Sequence, residues 1–263
     1  MGRQVFIVGA SSGIGYATAK KFLAEGDCVT NMSRSMCDIK EVKNIICDVS
    51  DREKLAKVLE EYKENNKKMD IFIYSAGFSM ACPLEYVEEK DYRYLFEVNF
   101  FAYMTMLKAF LPLLRVSQGV AIVVSSVGGM VPIAYDSYYS ASKAAVNMLT
   151  SALSYELIPR GVKIISVMPG GTKTEFSFKR KIYSNKECGD YAIDKSKAVK
   201  NLAHIEQNGA KPSAVANTIF RLCSNRVAVH TVSSGFINKL IILFSKIMPQ
   251  AALYQINSKV YFD

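Results

Sequence analysis

A short apolar run, Gln4 to Val8 (QVFIV), leads without a spacer into Gly9-Ala-Ser-Ser-Gly13-Ile-Gly15, and a helical pattern follows. No other stretch constrains the fold as much. The run has the length and apolar character of a buried strand. Past the glycines, Ile14, Ala17, Phe22 and Leu23 recur on one side, with Lys20, Lys21 and Glu25 on the other, as an amphipathic helix requires. A strand, a glycine turn and a helix in this order present the free N–H groups of the first helical turn to a phosphate. Glycine lets the backbone turn tightly and approach a pyrophosphate where a Cβ would collide. Gly9, Ser11, Ser12, Gly13, Ile14 and Gly15 are therefore candidate cofactor contacts. The spacing is GxxxGxG, not the GxGxxG of the wider dinucleotide fingerprint. A plain strand-to-helix turn is the competing reading.

The same alternation continues along the chain. Strand-like runs occur at Cys28 to Met32, Ile45 to Cys47, Met69 to Tyr74, Val120 to Val124 and Val162 to Val167. Helical patterns cover Asp51 to Asn65, Glu88 to Leu114 apart from the vicinity of Asn99, and Tyr138 to Leu157. Strands alternating with helices predict an α/β fold, a doubly wound parallel sheet with helices on both faces. No linker or internal repeat divides residues 1–263, so a single domain is expected. Only about ten residues separate Arg34 from the third strand, where a parallel crossover usually takes about a dozen, so the helix there is expected to have one or two turns at most.

The ends of the strands carry the polar groups. Ser33-Arg34 closes the second strand, where a nucleotide fold meets the adenosine ribose. An acidic residue would accept from both ribose hydroxyls; the Arg34 guanidinium suits a 2′-phosphate instead, which predicts NADP(H) over NAD(H). Asp48, followed by Val49, could accept from the adenine amino group or cap the next helix. Pro169-Gly170-Gly171-Thr172-Lys173-Thr174 turns the chain sharply and offers hydroxyls.

Tyr139 and Lys143 stand four residues apart in a helical pattern, so both side chains leave one face. A phenol titrates near pH ~10, and a neighbouring cation favours the phenolate. The pair reads as a tuned general acid/base, with Ser126 as a second hydrogen-bond donor to the same oxygen. Asn99 lies in an apolar run (Leu95, Phe96, Val98, Phe100, Phe101), where an unsatisfied amide would be costly, so it needs partners, and a catalytic water is a natural one.

In their order and spacing these residues resemble the short-chain dehydrogenase/reductase family, in its single-domain branch. The resemblance runs over roughly residues 4–175 and rests on Gly9-x-x-x-Gly13-x-Gly15, Asp48, Ser75-Ala76-Gly77, Asn99, Ser126, Tyr139-x-x-x-Lys143 and the Pro169-Gly170 turn. It implies a Rossmann-like sheet of about seven strands. It also implies Tyr139 as acid/base, Ser126 on the substrate oxygen, Lys143 lowering the tyrosine pKa and binding the nicotinamide ribose, and Asn99 holding a water in a proton relay. Family spacing selects Ser126 over Ser125 and Tyr139 over Tyr138. Ala76, Gly77, Pro169, Gly170, Thr172 and Thr174 join Tyr139 and Lys143 as implied cofactor contacts. The chain departs from the family at Ser75, where Asn is usual, and in the shortened second crossover. It departs again after Arg226 to Thr231, where a tail replaces the usual end of the chain; this favours a homodimer over a tetramer.

Residues 175–211 are the expected substrate flap. From Lys173 to Lys200 the basic residues Lys173, Lys179, Arg180, Lys181, Lys186, Lys195, Lys197 and Lys200 outnumber Glu175, Glu187, Asp190 and Asp194. A solvated loop explains this, as does attraction of an anionic substrate. The extension over 232–263 carries Phe236, Ile237, Leu240, Ile241, Leu243, Phe244, Ile247 and Met248, broken by Lys239 and Lys246. Too short to span a bilayer, this run is expected to pack over the cleft or a partner subunit, or to touch a membrane surface. Either way it points to a lipophilic substrate. The wall from Val127 to Ser137, with Met130, Val131 and Tyr135, is expected to help select it.

Formal charge is +9, but there is no basic tail or aromatic-basic motif, so nucleic acid is not expected as a partner. Six cysteines without CxxC pairing, two isolated histidines and no signal peptide predict a cytoplasmic protein without a metal centre, with membrane association through the tail as the alternative. The expected function is an NADP(H)-dependent oxidoreductase interconverting a secondary alcohol and a ketone. The alternatives are an NADPH-binding redox sensor without turnover and a sugar-nucleotide epimerase or dehydratase.

Overall fold

The first apolar run forms β1 (Gln4–Val8), buried at its last four residues, and the helix after the glycines is α1 (Gly13–Ala24). The computed structural model describes residues 2–224 and 230–263. The chain continues through β2 (Cys28–Ser33), β3 (Lys43–Ile46), α2 (Arg52–Asn65), β4 (Ile71–Tyr74) and a short β5 (Met80–Ala81). Next come α3 (Glu89–Phe96), a π-turn (Glu97–Phe101), α4 (Ala102–Ser117), β6 (Val120–Val124), α5 (Ser137–Leu157) and β7 (Lys163–Pro169). After these lie a short β8 (Lys181–Ile182), α6 (Ala192–Gln207), α7 (Pro212–Ser224), β9 (Thr231–Ser234), α8 (Phe236–Ile247) and α9 (Gln250–Phe262).

Seven strands form one parallel sheet in the order β3-β2-β1-β4-β6-β7-β9. The winding reverses between β1 and β4, which opens a crevice beyond their carboxyl ends, where such sheets bind ligands. Because both faces are covered, β4 and β6 are buried at every position. On one face Phe6, Phe72 and Phe110 pack with ring centroids 4.9 to 6.4 Å apart, under α2 and α4. On the other, Val5, Ile7, Ile73 and Ile122 pack against Ala19 and Phe22 of α1 and Val215 and Ile219 of α7. The stretch Glu89–Ser117 is long and apolar enough to cross a membrane, but Tyr103, Met106, Leu107 and Phe110 within it are core residues.

Two expectations change. No helix forms between Ser33 and Lys43. Asn44 replaces it: its Oδ1 accepts from Cys37 N at 2.9 Å, and its Nδ2 donates to Cys37 O at 3.0 Å and Val42 O at 3.3 Å. With those backbone groups satisfied by a side chain, the short connection needs no helical turn. The cap of α2 is Asp51, which accepts from Lys54 N at 3.0 Å, and not Asp48. The last sheet strand is Thr231–Ser234, whereas most of the run from Arg226 to Thr231 lies outside the described residues.

The tail divides at Pro249. α9 packs on α6, with Tyr261 buried beside Ala198 and Leu202 and the Tyr261 carbonyl accepting from Asn201 Nδ2 at 3.1 Å. α8 buries only Ile242.

Candidate active site

The glycine turn is shaped by close approach. Gly9 and Gly13 have φ of 88° and 58°, the left-handed region that disfavours a side chain. A Cβ on Gly15 would lie 2.1 Å from the Gly9 carbonyl, so α1 starts flush against the turn. Ser12, at the cap, makes no side-chain bond to the helix. Thr174 packs against Gly13, and a Cβ on Gly9 would come within 3.0 Å of Ala76 N. The turn, the end of β4 and the segment after β7 thus meet around one hollow at the helix N-terminus. Asn31, buried in β2, holds this loop by accepting from Ala10 N at 2.9 Å, and it donates to Ser33 Oγ at 2.9 Å. An amide inside an apolar strand was the available signal for it, the same signal that marks Asn99.

Arg34 is exposed at the end of β2 and forms no ion pair among the described residues. Asp48 Oδ1 accepts from Ser50 N at 2.9 Å and Ser50 Oγ at 2.7 Å, and Val49 is buried in the core. Pro169 ends β7, and Asn238 of α8 overlies Gly170, where a Cβ would fall 2.2 Å from its Oδ1. Thr172 Oγ1 donates to Gly170 O at 3.0 Å, and Thr174 Oγ1 accepts from Phe176 N at 3.2 Å. A cradle closed to side chains, an uncapped helix start and an unpaired guanidinium fit a phosphorylated dinucleotide.

The acid/base candidates converge beside this cradle. Asn99 sits fully buried in the π-turn, a form frequent at functional sites. Its Oδ1 accepts from Phe78 N at 3.0 Å, and its Nδ2 donates to Phe78 O at 3.0 Å and Ser142 Oγ at 3.1 Å. Both amide hydrogens are therefore spent on protein partners. A Cβ on Gly77 would lie 3.1 Å from Asn99 Oδ1 and 3.3 Å from Lys143 Nζ, so Gly77 lies against both side chains. Lys143 Nζ donates to Val124 O at 3.0 Å and lies 5.7 Å from the Tyr139 ring centroid. Ser125 turns away and donates to Lys143 O at 3.3 Å, leaving Ser126 to face the Tyr139 hydroxyl. Tyr138 stacks instead on Tyr92, at 4.9 Å and 7°.

The electrostatics differ from expectation. Burial pushes the Tyr139 hydroxyl up, and its contact with Ser126 offsets only part of this. Burial also pushes Lys143 down to about 8. A site that desolvates both groups penalises phenolate and ammonium alike. Lys143 is not among the groups that lower the tyrosine here; Ser126 and Arg180 are.

A second charged group, which the sequence offers only as one more basic residue of the flap, acts on the tyrosine through its charge. Arg180, from the segment after β7, is 6% exposed. Its Nε donates to Ser79 Oγ at 2.7 Å and its Nη2 to Glu206 Oε1 at 2.6 Å, with Asp136 Oδ2 at 3.7 Å. Asp136 Oδ1 accepts from Met80 N at 3.1 Å, and burial pushes its carboxyl up to about 7. Asp136 and Glu206 raise the tyrosine's pKa and Arg180 lowers it. Local pattern carries no sign of Arg180, because its partners come from three distant segments. Around Tyr139 the remaining wall is apolar and aromatic, including Phe78, Phe176 and Tyr183. Of the wall residues expected from sequence, Met130 is 38% exposed and Tyr135 packs toward Tyr191 and Phe262.

Residues 3–183 match the short chain dehydrogenase family. The chain is 32% identical over 225 residues to a 3-ketodihydrosphingosine reductase of Bacteroides thetaiotaomicron, covering 84% of each. It is 31% identical over 233 residues to an NADPH-dependent 3-dehydrocapnine reductase of Ornithobacterium rhinotracheale, covering 81% of each. Among solved structures, a short-chain dehydrogenase from Streptomyces avermitilis superimposes with a TM-score of 0.83 at 25% identity over 96% of both chains. A short-chain dehydrogenase from Burkholderia cenocepacia in complex with NADP shares the fold, with a TM-score of 0.76 at 23% identity over 97% of both chains. Sheet order, glycine cradle and these relatives agree: the chain belongs to the short-chain dehydrogenase/reductase family and is an oxidoreductase acting on CH–OH and keto groups.

Proposed function

We propose that this enzyme interconverts a lipophilic ketone and a secondary alcohol with NADP(H) in preference to NAD(H). The observation that carries the reading is the meeting of Ser126, Tyr139 and Lys143 beside the glycine cradle, with Gly77 and Asn99 at their back. The nicotinamide supplies or takes the hydride. Tyr139 protonates the carbonyl oxygen in reduction, and Ser126 donates to the same oxygen as charge develops on it. A hydroxyl kept protonated by burial is ready to act as the acid. Lys143, adjoining Gly77, would hold the ribose. Asn99, with both amide hydrogens on Phe78 O and Ser142 Oγ, fixes the Phe78 backbone beside the site.

NADP(H) preference is supported by unpaired Arg34 at the ribose end of β2 and by the relative whose name states NADPH dependence. A lipophilic substrate is supported by the aromatic wall around Tyr139. The anionic-substrate expectation loses ground: Lys173, Lys179, Lys181, Lys186, Lys197 and Lys200 are exposed, while Arg180 and Lys195 are engaged inside the protein. We place the enzyme as a homodimer in the cytoplasm, at a membrane surface from which such a ketone is drawn. The free cysteines fit a reducing compartment.

The test is a panel of lipophilic ketones and 3-oxoacyl thioesters followed by NADPH absorbance. Consumption of NADPH with at least one lipophilic ketone is expected. Tight NADPH binding with no turnover across the panel would replace this reading with that of a redox sensor.

A further inference from the structure

α8 turns its polar side inward. At about 100° per residue, Asn238, Ile242 and Ser245 share one side, and these are the helix's covered positions. Ile242 is 8% exposed, and Asn238 Nδ2 donates to Ser234 O at 2.5 Å. The opposite arc carries Phe236, Ile237, Leu240, Ile241, Phe244 and Ile247, all exposed, with Phe236 at 74% and Ile237 at 72%. Lys239 and Lys246 run along one border of that arc and are exposed. A surface helix ordinarily shows the reverse arrangement. Isolated apolar residues on a surface need no explanation, but a contiguous arc does.

Charge discriminates between the surfaces that could cover it. A second copy would set Lys239 and Lys246 against another chain that also carries +9, and α8 contains no carboxylate to answer them. A bilayer with anionic headgroups offers an apolar layer to the arc and negative charge to the lysines. We infer that α8 docks in the plane of an anionic lipid bilayer, with the Phe236–Ile247 arc in the acyl boundary and the two lysines among the headgroups. At 12 residues the helix is roughly 18 Å long, against a hydrocarbon core of about 30 Å, so it lies along the surface.

The placement ties the membrane to the reaction. Asn238, at the start of α8, overlies Gly170 in the cofactor turn. Beyond Pro249, α9 packs on α6, and Phe262 meets Tyr135 of the substrate wall at 6.2 Å. A docked α8 therefore holds the cleft beside the layer in which a lipophilic ketone dissolves. That link rests on the proposed substrate class; the docking itself does not.

The test is flotation of the full chain with vesicles of phosphatidylcholine alone or mixed with phosphatidylglycerol. The wild-type protein is expected to float with the mixed vesicles and to be released by high salt. Ile237→Ser with Phe244→Ser should abolish flotation, and Lys239→Glu with Lys246→Glu should weaken it by roughly thirtyfold or more. Unchanged NADPH fluorescence and melting in both variants will show that they fold. If the wild type floats with neither vesicle, the inference is overturned. A dimer in sedimentation velocity that Ile237→Ser with Phe244→Ser dissociates, without vesicle binding, would assign the face to a second copy. Reduction of a lipophilic ketone in detergent micelles, without vesicles, is read separately: its absence with flotation intact counts against the proposed reaction, and its presence without flotation counts against docking alone.

Discussion

The two halves of the candidate active site are held together by different forces. On the cofactor side the shape is backbone: left-handed Gly9 and Gly13, Gly15 against a carbonyl, and the Asn31 amide on Ala10 N. On the substrate side the shape is made by side-chain charge. Arg180 ties Ser79, Asp136 and Glu206 together, and Lys181 and the Tyr183 hydroxyl both engage Asp91. A backbone cradle tolerates few sequences and binds one kind of ligand. A charge-latched flap can change its lining while keeping its latch. On the proposed reading, the difference assigns specificity to the half that is joined across distant segments.

The seam between the halves is Tyr139, and its loss should have the largest effect. Tyr139→Phe is expected to lower kcat by about a thousandfold or more while NADPH affinity by fluorescence titration stays within a few-fold. Undiminished turnover would remove Tyr139 from the chemistry.

Arg180→Met should act on one half only. Removing one partner of a buried ion pair leaves carboxylates uncompensated and typically costs about 3–5 kcal/mol. Urea denaturation should show that loss, and the ketone KM should rise, with NADPH affinity little changed. An equal loss of NADPH binding would break the division between the halves.

Arg34→Ala is the mirror image. It should raise the KM for NADPH by about tenfold or more, as expected for a charged hydrogen bond, and leave NADH and ketone parameters nearly alone. Equal changes for the two nucleotides would remove the basis for NADP preference.

The last effect is a slope with pH. Burial raises the Asp136 carboxyl to about 7, although Arg180 lowers it and Glu206 acts with burial. The folded state then binds a proton that the unfolded chain has released above about pH 4, so stability should fall as pH rises from about 4 to 7. Asp136→Asn should flatten this part of the profile, measured as Tm against pH. A slope unaltered by the substitution would show that Asp136 is not its source.

The cofactor half was largely legible because its determinants are local. Gly9, Gly13 and Gly15 fall within seven residues, and the strand before them and the helix after them form where periodicity predicts. Asn99 was legible as a polar residue in an apolar run, although the identity of its partners, Phe78 and Ser142, was not. The connection before β3 misled, because Asn44 satisfies backbone groups that a helix was expected to satisfy. Arg180 was invisible, since it looks like one more flap cation until Glu206 and Asp136 are brought to it.

By itself the sequence determined the alternation of strands and helices, the glycine turn and the Tyr139–Lys143 spacing. Each of these follows from backbone sterics or side-chain period over a few residues. Only the tertiary structure decided that burial raises Tyr139, that Arg180 faces inward, and that α8 and α9 part company at Pro249. Those outcomes depend on desolvation and charge pairing among segments far apart in the chain, and such sums are set only when the chain is folded.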